Sequence, residues 1–391
     1  MIIFLFCILI AILFNNFMGA SLGISSLVLT TSGPLFLWCI CYVFKKKMCK
    51  DKIYKNSLLL IFFSFIIILF KIILGQPLFI RECIIFIIIP SLFVITFKSL
   101  PAKHIKYIQV VTLILFVLEC GLSIIERIQQ KVYFADDSVY SVINKDQDVW
   151  SFRSSALFGH PIANSMVVLL MTTFIIFSNL KERTKFILAT LSIAAQFCFN
   201  TRAGIILTVI ILLPFLYEKL KRKSFISKLI LFIIIGSVAI SIVSLMEKYE
   251  VGGRLLNIGN GSLFDDSSSL ARLDAFEFYK YLTSSELLWG DMRLYARLLI
   301  TMNLAGIENG YIAICLKYGL FFGCVLVILL LRLHISMLSQ KYTKWQIFWV
   351  LLAIYGYGMT NPHLSNSTIW YIFIFSYFAF SPSIKEETSK K

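Results

Sequence analysis

The sequence predicts an all-α polytopic membrane protein of about twelve transmembrane helices, with a long, partly helical extracytoplasmic loop before the tenth span. Three observations predict it. Of 391 residues, 59% are hydrophobic and the mean hydropathy is +0.84, which is more apolar surface than one soluble core can hide. Those residues are gathered into runs near the ~20 that cross a bilayer as a helix. Lys and Arg, in turn, collect in alternate connecting segments, the pattern of the positive-inside rule.

Taken in order, the apolar runs place spans at roughly 2–14, 24–44, 57–74, 82–97, 108–125, 161–178, 186–199, 203–217, 226–245, 310–331, 346–360 and 368–380. The start, "MIIFLFCILIAILF", has neither a basic n-region nor a small-x-small cleavage site, so it reads as a first span and not as a signal peptide. With both termini cytoplasmic, the inner segments are "KKKMCKDKIYKN", "KSLPAKHIKY", "NLKERTK", "EKLKRKSFISK", "RLHISMLSQKYTKW" and "SPSIKEETSKK". Asp and Glu collect in the outer ones. The net charge of +16 therefore reflects membrane insertion and is no argument for a nucleic-acid partner. The nine cysteines lie mostly in or beside apolar runs, where they act as small hydrophobes and not as a disulfide or zinc framework.

Two outer segments are long, 126–160 and 246–309. No repeat or soluble domain interrupts the chain, so residues 1–391 read as one integral membrane domain, with 246–309 as a cap over a membrane cavity. Within that loop, "DDSSSLARLDAFEFYKYL" (265–282) has Asp and Ser at a helix start and apolar residues at helical spacing. A second short helix is expected over 291–302, and "VGGRLLNIGNGS" reads as a turn region.

The arginine in "FCFNTRAGIILTVIILL" poses the sharpest question. Arg202 cannot lose its charge, and a cation at a helix centre costs at least about 2.5 kcal/mol. It falls between two apolar runs of about 14 or 15 residues, roughly 22 Å each at 1.5 Å per residue, against a hydrocarbon layer of about 30 Å. Either the turn ends below the outer surface and Arg202 faces a polar recess, or the helices lengthen and the side chain snorkels to the headgroups.

Three soluble catalytic signatures are absent from the sequence: it contains no G-x-x-x-x-G-K-[ST], H-E-x-x-H or G-x-G-x-x-G. Neither a metal site nor a cofactor is expected. The outer-face residues able to join Arg202 are His160 in "RSSALFGHPIANS", Arg272 in "SSSLARLDAF", Glu308 and Asn309 in "AGIENGYIAICLKYGL", and His363 in "GMTNPHLSNSTIWY". Each also has a plainer role. Arg272 can pair with Asp274 or Glu277, Glu308 can complement a helix dipole, and the histidines can be interfacial polar residues. Lys71, Glu119 and Lys317 sit within spans with no partner identifiable from the sequence.

Together these stretches resemble the Wzy-type O-antigen and capsular polysaccharide polymerases and the related O-antigen ligases. The resemblance rests on "FGHP" opening a span, "TRAG" at a membrane hairpin, an outer-loop arginine followed by "LLWGD", and "ENGYIAICLKYGL" starting the next span, over approximately residues 153–370. It implies a metal-independent glycosyltransferase on the outer face of the bacterial cytoplasmic membrane, with polyprenyl-diphosphate-linked oligosaccharides as donor and acceptor. Arg202 matches the hairpin arginine; Arg272 matches the outer-loop arginine, with Arg254 the second choice. In this reading Arg202 and Arg272 hold the diphosphate, with Arg254, Asn309 and His363 as further contacts to diphosphate or glycan. Glu308 is the base and His160 the reserve. The ligases carry His-Asn where this chain has Glu308 and Asn309, a departure that favours a polymerase. The partners implied are a chain-length regulator and a flippase, besides the lipid bilayer. An O-antigen ligase and a lipid-linked oligosaccharide flippase or transporter are the alternatives.

Overall fold

The computed structural model describes residues 3–4, 7, 28–45, 51–76, 79–134, 152–221, 276–301, 307 and 309–381. The expected spans 2–14 and 226–245, residues 135–151 of loop 126–160 and loop residues 246–275 lie largely or wholly outside them, as do Arg254, Arg272 and Glu308.

Among the described residues of the chain, all regular secondary structure is helical. Its helices are α1 (Val28–Lys45), α2 (Lys52–Ile73), α3 (Phe79–Lys98), α4 (Ala102–Gln129), α5 (Pro161–Phe177), α6 (Glu182–Phe199), α7 (Arg202–Lys221), α8 (Ser284–Trp289), α9 (Leu294–Thr301), α10 (Gly310–Leu338), α11 (Lys344–Leu351) and α12 (Ser367–Phe380). Among the described residues, α2, α3, α4 and α10 are long and apolar enough to cross a membrane, and α5, α7 and α12 are shorter apolar helices. The protein is thus an all-α, multi-pass membrane protein. Large apolar side chains such as Phe62, Phe65 and Leu69 on α2 and Ile114, Val117 and Leu118 on α4 point outward and exposed, a surface suited to lipid.

At the centre stand α5 and α12. Every residue of α5 is buried, as are Ile369 to Phe380 of α12. A helix apolar on all faces belongs inside a bundle. The pair meets through Phe174 and Phe373, edge to face at 5.4 Å, and α4, α6 and α10 pack around it.

Three expected spans depart from regular helix. In α3, Pro90 cannot donate to the carbonyl four residues back, and the helix widens into a π turn over Ile84–Ile88 just before it. The expected span 346–360 is α-helical only to Leu351. It passes through a π turn at Leu352–Gly356 into a 3-10 turn at Tyr357–Thr360, because Gly356 and Gly358 favour helix weakly and Pro362 follows. Finally, α10 is broken at Gly319 (φ 82°, ψ 163°), leaving a short half-helix ahead of it.

The helices alternate in direction and so define two ends. One is tied by Lys98 with Asp51, by Gln340 Nε2 donating to Asp51 Oδ2 at 3.1 Å, and by Tyr42 Oη donating to the Ser99 carbonyl at 2.9 Å. The other end holds the candidate site.

Candidate functional site

The segment 152–160, "FRSSALFGH", has no regular structure yet is almost wholly buried. Buried backbone N–H groups need acceptors, and α4 supplies them as carboxylates. Glu126 Oε2 accepts from Ser155 N and Ala156 N, both at 2.8 Å, and its Oε1 accepts from Tyr133 N at 2.9 Å. Glu119 Oε2 accepts from Leu157 N at 3.1 Å. Asn164 Oδ1 accepts from Phe158 N at 3.1 Å, and Arg127 Nη1 donates to the Phe152 carbonyl at 2.7 Å. These bonds hold Ala156 at φ 37°, a left-handed conformation that costs an L-residue roughly 1–2 kcal/mol.

Ser154 fixes the depth. Its N–H donates to the Cys198 carbonyl on α6 at 3.1 Å, and its hydroxyl donates to the Ser123 carbonyl on α4 at 2.7 Å. Cys198 and Ser123 are therefore level. From there α4 rises about 9 Å further at ~1.5 Å per residue, whereas the tip of the α6–α7 hairpin rises only about 5 Å. The tip accordingly sits about one turn below the end of α4, with Asn200 and Thr201 buried. Helix length is not the cause: α6 has 18 residues and α7 has 20, more than their apolar runs. Coverage by 152–160 buries the turn.

A hydroxyl–amide network clamps this tip. Tyr357 Oη and Thr201 Oγ1 donate to Ser165 Oγ at 2.9 and 2.8 Å; Ser165 Oγ donates to Gln196 Oε1 at 2.5 Å, and Gln196 Nε2 donates back to the Ser165 carbonyl at 2.9 Å. Asn200 turns the chain in the left-handed region (φ 52°). Gly204 lets α7 approach: a Cβ there would lie 1.9 Å from Ser165 Oγ, 2.4 Å from Thr201 Oγ1 and 2.6 Å from Gln196 Oε1. Gly204→Ala is expected to destabilise the protein by about 1–3 kcal/mol, the usual cost of overpacking, measurable as a lowered unfolding midpoint in detergent.

Arg202, half-buried, is the first residue of α7, so its guanidinium stands at the positive end of a helix. Arg153, on the buried segment, donates through Nε to the Phe199 carbonyl at 3.5 Å. A second arginine thus reaches the same turn, a residue to which sequence reasoning assigned no role. It opens the stretch "RSSALFGHPIANS", and only the docking of that stretch on the hairpin reveals its position.

Two histidines lie beside it. His160 caps α5, Nδ1 accepting from Ile162 N at 3.3 Å, so the neutral ring carries its proton on Nε2 and presents a donor. His363 lies in the turn Pro362–Ser365, capped by Asn361 Oδ1, which accepts from His363 N at 2.8 Å; Asn361 Nδ2 donates to the Ile162 carbonyl at 3.1 Å. The two rings are 5.0 Å apart, centre to centre. Burial holds His160 well below the usual imidazole range, helped by the His363 ring and Arg153. Burial, helped by Lys317, brings His363 down to about 4. Both rings are neutral at pH 7. Because the unfolded chain binds more protons between about 4 and about 6.5, stability rises with pH across that window. Thermal unfolding should therefore move to lower temperature on acidification from pH ~6.5 towards ~4, and His363→Gln should flatten the slope.

Asn309 caps α10, its Oδ1 accepting from Tyr311 N at 3.0 Å and Ile312 N at 3.1 Å, which leaves its Nδ2 as the group able to meet a ligand. Gly310 then packs on the His363 turn, where a Cβ would lie 2.4 Å from Leu364 Cβ. The starts of α5, α7 and α10 and the His363 turn therefore lie at one end of the bundle, where the rings of His160 and His363 meet, with Arg202 and Asn309 at the starts of α7 and α10 at that same end.

The described part of the outer loop is fixed to the same end. Lys71, fully buried, donates to the carbonyls of Trp289 and Gly290, the latter at 2.7 Å, and to Gln76 Oε1 at 3.3 Å. Gln76 Nε2 donates to Asp291 Oδ2 at 2.9 Å, and Asp291 N to the Leu316 carbonyl at 2.9 Å. Gly290 lies against the Gly319 break, where a Cβ would come within 2.2 Å of the Gly319 nitrogen. Leu294, Leu298 and Ile307 pack on Ile312 and Leu316. Lys317 pairs with Glu82 at 2.9 Å. Lys71, Glu119 and Lys317 thus all have partners, distant in sequence and, for two of the three, backbone groups. The expected helix over 291–302 is α9. Of the one expected over 265–282, the described part is a 3-10 turn at Phe276–Tyr281. The short α8 carries a capping box between Thr283 and Glu286, a signal present in "TSSE".

Among the described residues no group of three or more His, Cys, Asp or Glu is placed to hold a metal ion. Compared with protein-family models and with curated proteins, the sequence finds no match.

Proposed function

We propose that this protein is a polysaccharide polymerase that joins polyprenyl-diphosphate-linked oligosaccharide repeat units on the outer face of a bacterial cytoplasmic membrane, in O-antigen or capsule synthesis. One observation carries the reading: two arginines, Arg153 and Arg202, reach a buried turn at one end of an apolar bundle, beside two neutral histidines. Arginine binds phosphate oxygens through paired, charge-assisted hydrogen bonds, and such contacts strengthen where water is excluded. The site end faces outward in this reading, as the distribution of Lys and Arg along the sequence requires.

The acceptor hydroxyl attacks the anomeric carbon of the donor sugar. A new C–O bond forms, the bond to the diphosphate breaks, and the polyprenyl diphosphate leaves with the electron pair. Arg202 and Arg153 stabilise the charge it gathers, and Arg272 joins them from the loop, with Arg254 the second choice. Glu308, next to the Asn309 cap, takes the acceptor proton. The Nε2–H of His160 donates to a glycan or phosphate oxygen, a role that suits its cap geometry better than that of a base, and His363 contacts the glycan beside it. Proteoliposomes holding the protein and a lipid-linked repeat unit should yield a ladder of longer glycans. Transfer to a lipid A core without a ladder would mark a ligase, and movement of the unit across the bilayer without new bonds would mark a transporter; either would refute the proposal.

A further inference from the structure

At the end opposite the site, α10 meets the first turn of α2 in an open groove of about 470 Å³ lined by Lys52, Ile328, Leu331, Arg332, Ile335 and Ser336. That volume is within the roughly 300–1,000 Å³ of small-molecule sites. The spacing of Ile328, Leu331, Arg332 and Ile335 puts them on one face of α10. Ile328 and Ile335 are 62% and 41% exposed, so the groove has an apolar floor open to the surroundings, with a cation at each side.

The nearby carboxylate does not neutralise those cations. Asp51 is turned to Lys98 and to Gln340 Nε2, and its Oδ1 accepts from Tyr54 N to cap α2. Among the described residues neither Lys52 nor Arg332 forms an ion pair. A ligand matched to this surface carries a negative charge at one end and a hydrocarbon chain at the other.

We infer that the groove binds one anionic phospholipid from the leaflet at this end, its phosphate between Lys52 and Arg332 and an acyl chain along Ile328, Leu331 and Ile335. Basic side chains near a membrane surface attract anionic lipid headgroups. The exposed apolar stripe, which runs from Ile335 beside the cations inwards to Ile328, distinguishes a lipid from free phosphate, which has no use for it. The site is independent of the glycosyl-transfer reading.

The full-length protein, extracted in detergent with equal amounts of phosphatidylglycerol and phosphatidylethanolamine, is examined by native mass spectrometry. The expected result is retention of one phosphatidylglycerol in preference to phosphatidylethanolamine. The Lys52→Gln, Arg332→Gln pair should lower that retention about tenfold or more, whereas Arg183→Gln, an exposed cation at the start of α6, should leave it unchanged. Both substituted groove residues are exposed, so folding is preserved, and an unaltered unfolding midpoint verifies it. Equal retention of the two lipids, an unaffected double variant, or displacement by millimolar inorganic phosphate would overturn the inference.

Discussion

Replacing Arg202 with alanine is expected to slow glycan elongation by about 10²- to 10³-fold, the scale seen when one preorganised donor to a developing anion is removed. The fold should survive the change. Arg202 is half-buried at the first position of α7, and the hairpin is held by Ser165, Gln196, Thr201 and Tyr357, none of which the substitution alters. Lysine restores the charge without the planar fork, so Arg202→Lys should recover part of the rate. The ladder assay in proteoliposomes reads both variants, with unfolding midpoints taken on the same samples. A stable alanine variant that makes full-length polymer would leave the hairpin as a packing element and remove Arg202 from the chemistry. Arg153→Ala is the companion measurement: its guanidinium reaches the same turn through the Phe199 carbonyl, and its loss should lower the rate through the same phosphate contact.

How much of this was legible in the sequence depends on what kind of partner each residue has. The helices α3, α5, α7 and α12 fall where apolar runs stand, because lipid and a protein core both select such runs. "TRAG" reads as a hairpin because two apolar runs flank one permanent cation. Its depth does not follow from run length, since α6 and α7 continue past their charged ends; it follows from Ser154 reaching across to α4 and α6. Lys71, Glu119 and Lys317 stood out as charges in spans, yet their partners could not be named. Gly290 is 219 residues from Lys71, Leu157 is 38 from Glu119, and Glu82 is 235 from Lys317. Two of the three partners are backbone atoms, which no side-chain pattern marks. The break at Gly319 lies inside an apolar run and becomes intelligible only once Gly290 is seen against it. By contrast, the unwinding after Leu351 was foreshadowed by "YGYGMTNP", where two glycines precede a proline.

Glu126 is the residue whose loss should do most damage to the fold. Its two oxygens accept from Tyr133, Ser155 and Ala156 N–H groups. In Glu126→Ala the N–H groups of Ser155 and Ala156 become buried donors without an acceptor, each costing about 1–3 kcal/mol, and the left-handed Ala156 loses the bond that holds it. The sum, about 2–6 kcal/mol, is a large fraction of the roughly 5–15 kcal/mol stability of an ordinary domain, so the alanine variant should either fail to accumulate in the membrane or unfold at a much lower temperature. Glu126→Gln keeps one acceptor oxygen and should be milder, with the deficit confined to one of the two bonding sides. Hydrogen exchange separates the cases: in the glutamine variant, Ser155 and Ala156 should stay protected if the amide oxygen faces them, while Tyr133 exchanges faster. Segment 152–160 also carries Arg153 and His160 and covers the turn before Arg202, so a loosened segment should lower elongation even in a variant that inserts normally. An alanine variant with native stability and native protection at Ser155 would show that other acceptors take over, and that the buried carboxylate is not what holds this segment in place.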